Sequence, residues 1–258
     1  MDWRRAKTLL IIAFLLLDSF LAFQLWSGRH EGVEVGEQFL SGSTNLQDVL
    51  QARGITLKVE TPTDTPVMNY LNIKYADFRT TQVQTLPNQS GDRIGNVLQS
   101  RFHEPIPLPE DQREALKNRL KGQILFIDEY ERDPAVTDKD RIRYLQQWNS
   151  YPLFGATLDL RLVDQRIVGY TQAYYQVVNK GSGKKVISSL TATRTLIENG
   201  FIKNGETIDA IDLGYYGHTY DAEIQVLAPV WRIWHAGKVD YVNGITGVIE
   251  KIPSLPKK

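Results

Sequence analysis

Residues 8–26 are almost wholly apolar, interrupted by one carboxylate, Asp18. As a helix rising about 1.5 Å per residue, such a run is roughly 28 Å long, close to the hydrocarbon thickness of a bilayer. The pattern predicts a transmembrane helix, bracketed by Trp3 and Trp26 at the interfaces. A cleaved signal peptide fits less well, because its apolar stretch is usually about 7–15 residues and closes on a small-x-small site, whereas this run closes on Gln24-Leu25-Trp26.

Beyond the run the pattern changes period. Residues 27–41 are rich in Gly and Glu and read as a stalk. Thr44-x-x-Gln47 is a capping box for a short helix with Leu46, Val49 and Leu50 on one face and Gly54 as its left-handed stop. Ile55–Glu60 and Leu71–Tyr75 alternate apolar and polar, as half-buried strands do, with the Pro-rich stretch 61–66 as a loop between them. Residues 79–109 carry Pro87, Gly91, Gly95, Pro105, Pro107 and Pro109 and little periodicity, predicting a long irregular excursion. A second helix runs from Pro109 to Gly122, acidic in its first turn and basic in its last. Gln123–Tyr130 is a strand candidate, and a third helix capped at Thr137 places Ile142, Leu145 and Trp148 inward.

The clearest hairpin is Thr157–Val163, turning at Asp164-Gln165 into a longer strand from Arg166 to Val178. Gly181-Ser-Gly183 reads as a loop, and a helix from Ser189 to Asn199 stops at Gly200. Strands follow at Thr207–Tyr216, Glu223–His235 and Lys238–Val242, with Pro229 favouring an edge or a bulge in the second. The order helix, Gly, strand, strand occurs near residue 45 and again near residue 189. The fold class is therefore α+β: a transmembrane helix, then an ectodomain of mainly antiparallel sheets with helices on one face, organised as one domain or as two related subdomains. The boundaries are a cytoplasmic segment 1–7, the span 8–26, the stalk 27–41, subdomains 42–150 and 151–250, and a tail 251–258.

Charge orients this plan. Arg4, Arg5 and Lys7 precede the span, whereas Glu31, Glu34 and Glu37 follow Arg29 on the other side, so the N-terminus is expected in the cytoplasm and the C-terminal domain outside the cell membrane. The chain has 30 basic and 30 acidic residues, which argues against a nucleic-acid partner and implies no partner by charge; the lipid bilayer is expected from the apolar run alone. There is no cysteine, which excludes disulfides, thiolate zinc sites and cysteine nucleophiles.

No catalytic, cofactor or metal site emerges. Neither a Gly-x-Ser-x-Gly elbow, nor Ser-x-x-Lys, nor His-Glu-x-x-His is present. His30, His103, His218 and His235 are scattered, and Pro105 breaks any helix that would align a second ligand with His103-Glu104. Gly181-Ser-Gly-Lys-Lys185 lacks phosphate-loop spacing. Asp128-Glu129 and the pair Asp138 and Asp140 read as charged element ends rather than as a glycosidase pair. The aromatic stretches Tyr170–Tyr175 and Val230–Trp234 read as cross-strand core more readily than as a sugar- or peptide-binding platform.

Asp18 stands apart, because a carboxylate at the centre of a bilayer costs roughly 2.5–3.5 kcal/mol even on the lenient insertion scale. On a helical wheel it lies with Ile11, Leu15, Ser19 and Ala22 in a polar and small-residue stripe suited to another transmembrane helix. Protonation, or displacement toward the outer interface, would be the alternative way to offset that cost.

The opening Met-Asp-Trp-Arg-Arg-Ala-Lys7 with its immediate span, together with Leu227-Ala-Pro-Val-Trp231 and Tyr241-Val-Asn-Gly-Ile-Thr-Gly247, resembles the YycI (WalI) proteins of low-GC Gram-positive bacteria. The resemblance covers essentially the whole chain, and its motifs are not catalytic signatures. It implies an α+β fold and a non-enzymatic role in cell-wall homeostasis: modulation of the sensor histidine kinase YycG (WalK) of the YycFG (WalRK) two-component system, alongside a YycH-like membrane protein. The alternative is an anchored extracytoplasmic module that binds peptide or wall polymer without kinase contact.

Overall fold

The computed structural model describes residues 7, 10–21, 46–78, 83–109, 113–136, 138–218 and 222–250. They belong to two compact units, Met1–Val49 and Leu50–Lys258. In the first, residues 10–21 form a helix in which every residue is exposed. Among the described residues no helix is long and apolar enough to cross a membrane. Residues 8, 9 and 22–26 of the expected span, and the Thr44 cap, lie outside the described residues.

Helix α1 (Leu46–Ala52) begins in the first unit and ends in the second. It stops as its sequence requires: Gly54 sits at φ 64°, its N–H donates to Gln51 O, and the Ile55 N–H donates to Leu50 O. Helix α2 (Arg113–Leu120) carries Lys117 and Arg119 in its last turn. Helix α3 (Ser189–Glu198) is capped by the Ser188 hydroxyl, which accepts from Thr191 N–H, and it closes at Gly200 by the same pair of bonds as α1.

Thirteen strands connect into one hydrogen-bonded network among the described residues. They are β1 (Thr56–Leu57), β2 (Val67–Tyr75), β3 (Gln89–Ile94), β4 (Val97–Pro107), β5 (Tyr130–Arg132), β6 (Arg141–Trp148), β7 (Tyr151–Val163), β8 (Arg166–Gln172), β9 (Tyr175–Lys185), β10 (Thr207–Tyr216), β11 (Gln225–His235), β12 (Lys238–Asn243) and β13 (Ile249–Glu250). The main path runs β13-β12-β11-β10-β7-β8-β4-β3, with β5 and β6 joined to β7. Pairing is antiparallel except for β1 on β10 and the single contact of β10 with β7. The architecture is mainly β with few helices, an α+β arrangement. The boundary expected at residue 150 falls in the turn Asn149-Ser150 of the β6–β7 hairpin, whose strands pair from Trp148 and Tyr151 outward.

Strand β11 pairs with β2 over Gln225–Leu227 and with β12 from Val230 onward, while β10 lines its other side. Pro229 sits at this change of partner, where it opposes Tyr215 and its carbonyl accepts from Gly244 N–H. The expectation of an edge or a bulge is thus corrected: Pro229 keeps the register with β10, and the missing donor falls in the gap between two neighbours on the other side.

Five further expectations are corrected. Residues 79–82 of the stretch expected to be irregular lie outside the described residues, but residues 89–107 are regular, because β3 and β4 form a hairpin through Gly95-Asn96, and Pro105 is accommodated in the register shift between Arg101 and Ile106. The helix expected after Thr137 is β6; the strand buries side chains in two clusters, Ile142 and Tyr144 in one and Leu145 in another, so that positions 142 and 145 mimic helical spacing. Thr137 itself lies outside the described residues. The strand expected at Gln123–Tyr130 is a turn followed by a 3-10 helix, Ile127–Glu129, because Phe126 adopts φ 57°. The segment Gly181–Gly183 belongs to β9, paired with β2, and the strand expected over Arg166–Val178 divides at Ala173-Tyr174. At that division the buried Gln146 amide donates to Tyr175 O and accepts from Tyr175 N–H, replacing a ladder neighbour.

The largest core lies beneath β4, β6, β7 and β8, where Leu98, Leu158, Leu160, Ile167 and Tyr170 pack with Leu120 of α2. On β11, Trp231 is fully buried and its indole N–H donates to Ile187 O at 2.8 Å.

Candidate functional site

The residues singled out at the N-terminus fall on one stripe. In helix 10–21, Ile11, Leu15, Asp18 and Ser19 lie within an arc of about 100°, given roughly 3.6 residues per turn, and all four are exposed. Ala22 lies outside the described residues. Around the stripe Leu10, Phe14, Leu16 and Phe20 are each more than half exposed, at 61%, 57%, 68% and 56%. An apolar helix exposed all round needs lipid or another protein to cover it.

The second unit holds a buried polar centre that the sequence did not signal. Arg232 of β11 faces Asp212 of β10 in register, and its guanidinium donates to Asp212 Oδ2 from Nη2 at 2.8 Å. Its other edge clamps Asp133 with bonds of 2.7 and 2.9 Å. Asp133 follows β5 and is positioned by its own N–H, which donates to Arg143 O at 2.9 Å. The Phe154 ring lies 4.5 Å from the Arg232 Cζ and the Trp234 ring 5.8 Å. Burial acts against the charged guanidinium, but the bonds to Asp133 and the charge of Asp212 outweigh it and raise the Arg232 pKa. Nearby, burial pushes the Tyr241 phenol up to about 12. The centre ties β5 to β10 and β11, and its acceptors are committed to Arg232.

His235 forms a second clamp. Its Nδ1 lies 2.9 Å from Glu206 Oε2 and its Nε2 lies 2.8 Å from Asp240 Oδ2, with the ring buried. Both contacts are hydrogen bonds only when the ring carries two protons. The bond to Asp240 is the largest cause that raises its pKa, burial opposes it, and Glu206 adds to the rise.

The remaining sequence candidates separate. His103 contacts the Ser90 hydroxyl at 2.7 Å on an exposed strand, His218 contacts Glu250 at 3.2 Å, and His30 lies outside the described residues. Among the described residues no group of three or more His, Cys, Asp or Glu is placed to hold a metal ion. Asp128 pairs with Lys121, Asp138 with Arg141, and Glu129 accepts from the Tyr174 hydroxyl. Of the aromatic stretches, Tyr170, Tyr175 and Trp231 are core, while Tyr174 is half-buried and stacks on Phe126 at 4.2 Å.

These features define an α+β domain held by a charged lock in its sheets and accompanied by an exposed apolar helix. An uncharacterised protein from Eubacterium rectale shares the fold, with a TM-score of 0.50 and 10% identity over 77% of this chain and 91% of that one. The model of the YycI protein family matches residues 37–245, and the chain belongs to the YycI family. Weaker likenesses are to YycH from Bacillus subtilis, with a TM-score of 0.43 and 15% identity over 66% of this chain and 52% of that one, and to the C-terminal domain of YpeB from Bacillus megaterium, with a TM-score of 0.35 and 11% identity over 80% and 94%. No curated protein sequence matches the chain.

Proposed function

We propose that this chain is a non-enzymatic regulator, anchored in the cell membrane by residues 8–26 with its C-terminal domain outside, that modulates the sensor histidine kinase of the YycFG system together with a YycH-like partner. The observation that carries this reading is the family match over residues 37–245. The exposed helix supports it, because Ile11, Leu15, Asp18 and Ser19 form a face that a partner helix in lipid would cover, with the Asp18 carboxylate as the group most in need of a partner. In this reading the stripe docks against the transmembrane helices of the kinase. The regulator then biases the kinase between signalling states by differential affinity for them.

The test substitutes Asp18→Leu and Ser19→Leu in the full chain and measures co-purification with the kinase and transcription of its regulon. Each substitution is expected to weaken association by about tenfold, equivalent to ~1.4 kcal/mol, and to change regulon output. Unchanged association and output would remove the stripe from the mechanism. An anchored module without kinase contact would instead keep its function when the anchor is replaced by an unrelated span.

A further inference from the structure

The outer face of the sheet formed by β3, β4, β8, β7 and β6 carries a charge pattern that the fold does not use. In register, Ser90 opposes Arg101, Arg101 opposes Gly169, Gly169 opposes Arg161, and Arg161 opposes Arg141. Side chains in such a row share one face, so two exposed arginines, Arg101 and Arg161, flank a position without a side chain. Gly169 is required by close approach: a Cβ there would lie 2.3 Å from Ser100 O and 3.1 Å from the Arg101 Cα. The result is a shallow recess of about 270 Å³ lined by Ser90, Asp92, Gln99, Arg101 and Arg161, with Ile94 at its rim.

The available carboxylates do not neutralise it. Asp159, two residues along β7 on the same face, is held through both its oxygens by the Nε–Nη2 edge of Arg143, at 2.7 Å each. Asp138 is taken by Arg141 at 3.4 Å. Asp92 opposes Gln99 and makes no ion pair among the described residues, and neither Arg101 nor Arg161 makes one. Like charges directly opposed across strands, as Arg161 and Arg141 are, destabilise a sheet. Arg141 has Asp138 to offset that repulsion, whereas Arg161 has no carboxylate partner among the described residues.

We propose that the recess between Arg101 and Arg161 binds a phosphate group. The backbones of these residues are two strand spacings apart, about 9–10 Å, so their long side chains can converge from opposite sides above Gly169. A planar carboxylate saturates its two oxygens on a single guanidinium fork, whereas the tetrahedral oxygens of a phosphate ester can meet two forks at once. The Gln99 amide supplies a further donor in the lining, while the Ser90 hydroxyl is engaged with His103 Nε2 at 2.7 Å. The site is distinct from the N-terminal stripe and does not rest on the kinase reading. Its phosphate can come from free inorganic phosphate or from a phosphodiester polymer, which offer the same chemistry.

The test titrates the full chain in detergent micelles with inorganic phosphate and, separately, with a glycerol phosphate oligomer, following arginine side-chain NMR signals. Arg101→Gln and Arg161→Gln are each expected to weaken binding about tenfold, the loss of one charge-assisted fork, and Lys184→Gln on the exposed strand β9 is expected to leave it unchanged. Asp92→Asn removes a carboxylate from the recess and is expected to tighten binding about twofold to threefold, a gain that misfolding would not produce. Tighter binding of the oligomer than of phosphate assigns the polymer as the source, and equal affinity per phosphate assigns the free ion. Wild-type affinity in both arginine variants, or no saturable binding of either probe, would overturn the site. Displacement of phosphate by an equal concentration of a glutamate-rich peptide would overturn the choice of phosphate over carboxylate.

Discussion

Arg232 and the pair Arg101 and Arg161 stand on the same sheet network under opposite physical regimes. Arg232 is 4% exposed, faces two carboxylates and lies against the rings of Phe154 and Trp234. Arg101 and Arg161 are exposed beside a glycine and have no ion pair among the described residues. A buried charge is tolerated only when it is paired and hydrogen-bonded, and Arg232 commits four of its five donors to Asp133 and Asp212. An exposed guanidinium keeps its water and its donors, so it costs the fold little and remains available. In this protein burial separates the arginines that hold the domain together from those open to a ligand.

The contrast is sharpest if the buried arginine is removed. Arg232→Met leaves Asp133, which is 1% exposed, without its two strongest donors, and only the Ala135 N–H at 3.2 Å remains on its Oδ1. Denaturant unfolding is expected to show a loss of about 3–5 kcal/mol, typical of breaking one side of a buried pair. Adding Asp133→Asn should return part of that loss, because an amide is cheaper to bury than an unpaired carboxylate. A single Arg232→Met variant with wild-type stability would show that the lock contributes no more than the surface arginines do.

The sequence made some of this legible and concealed the rest for specific reasons. The apolar run, the hairpin at Asp164-Gln165 and the glycine stops after α1 and α3 depend on neighbours only a few residues away, and such patterns survive in a single sequence. Asp164 and Gln165 both adopt positive φ, at 47° and 57°, as a two-residue hairpin turn demands. Strand β6 hides in the sequence because it buries Ile142 and Tyr144 in one cluster and Leu145 in another, which breaks the alternation a half-buried strand shows. The β3–β4 hairpin was missed because Gln-Ser-Gly-Asp-Arg-Ile94 has one apolar residue and its partner contains Pro105. Asp133 meets Arg232 across 99 residues of chain, so no local pattern could pair them. The stripe of Ile11, Leu15, Asp18 and Ser19 is an expectation that needs only helical periodicity, whereas the arginine row depends on the register of five strands.

The His235 clamp lies between the two regimes, because its charge is buried yet can be withdrawn by a proton. The ring is 1% exposed, with Asp240 and Glu206 at its two nitrogens and Lys238 opposite it on β12. Its pKa is raised above 6.5, so the stabilisation is fully present below that value and is lost as the pH rises through the folded-state pKa. The Glu206 pKa is lowered despite burial acting the other way, since the His235 and Lys203 N–H bonds favour the carboxylate. The clamp therefore also weakens as the pH falls through that lowered value. Unfolding followed against pH is expected to show a loss of about 1–3 kcal/mol on the alkaline side, and His235→Gln should abolish that slope. A wild-type profile that is flat above pH 6.5 would mean that the ring is not doubly protonated in the fold.

The smallest effect belongs to the exposed pair, and its smallness is what distinguishes it. Arg101→Gln removes a solvated side chain with no carboxylate partner, so its effect on stability is expected within about 0.5 kcal/mol of zero. Arg161→Gln also relieves the repulsion from Arg141 directly opposite it and is expected to stabilise by a few tenths of a kcal/mol. Raising the salt concentration should erase that gain, because ions screen exposed charges over a distance of about 10 Å at 0.1 M. The same salt should leave the Arg232→Met deficit largely intact, since water and ions do not reach the clamp. If instead Arg161→Gln destabilised by more than 1 kcal/mol at every salt concentration, Arg161 would be part of the scaffold, and the contrast between the two regimes would fail at that residue.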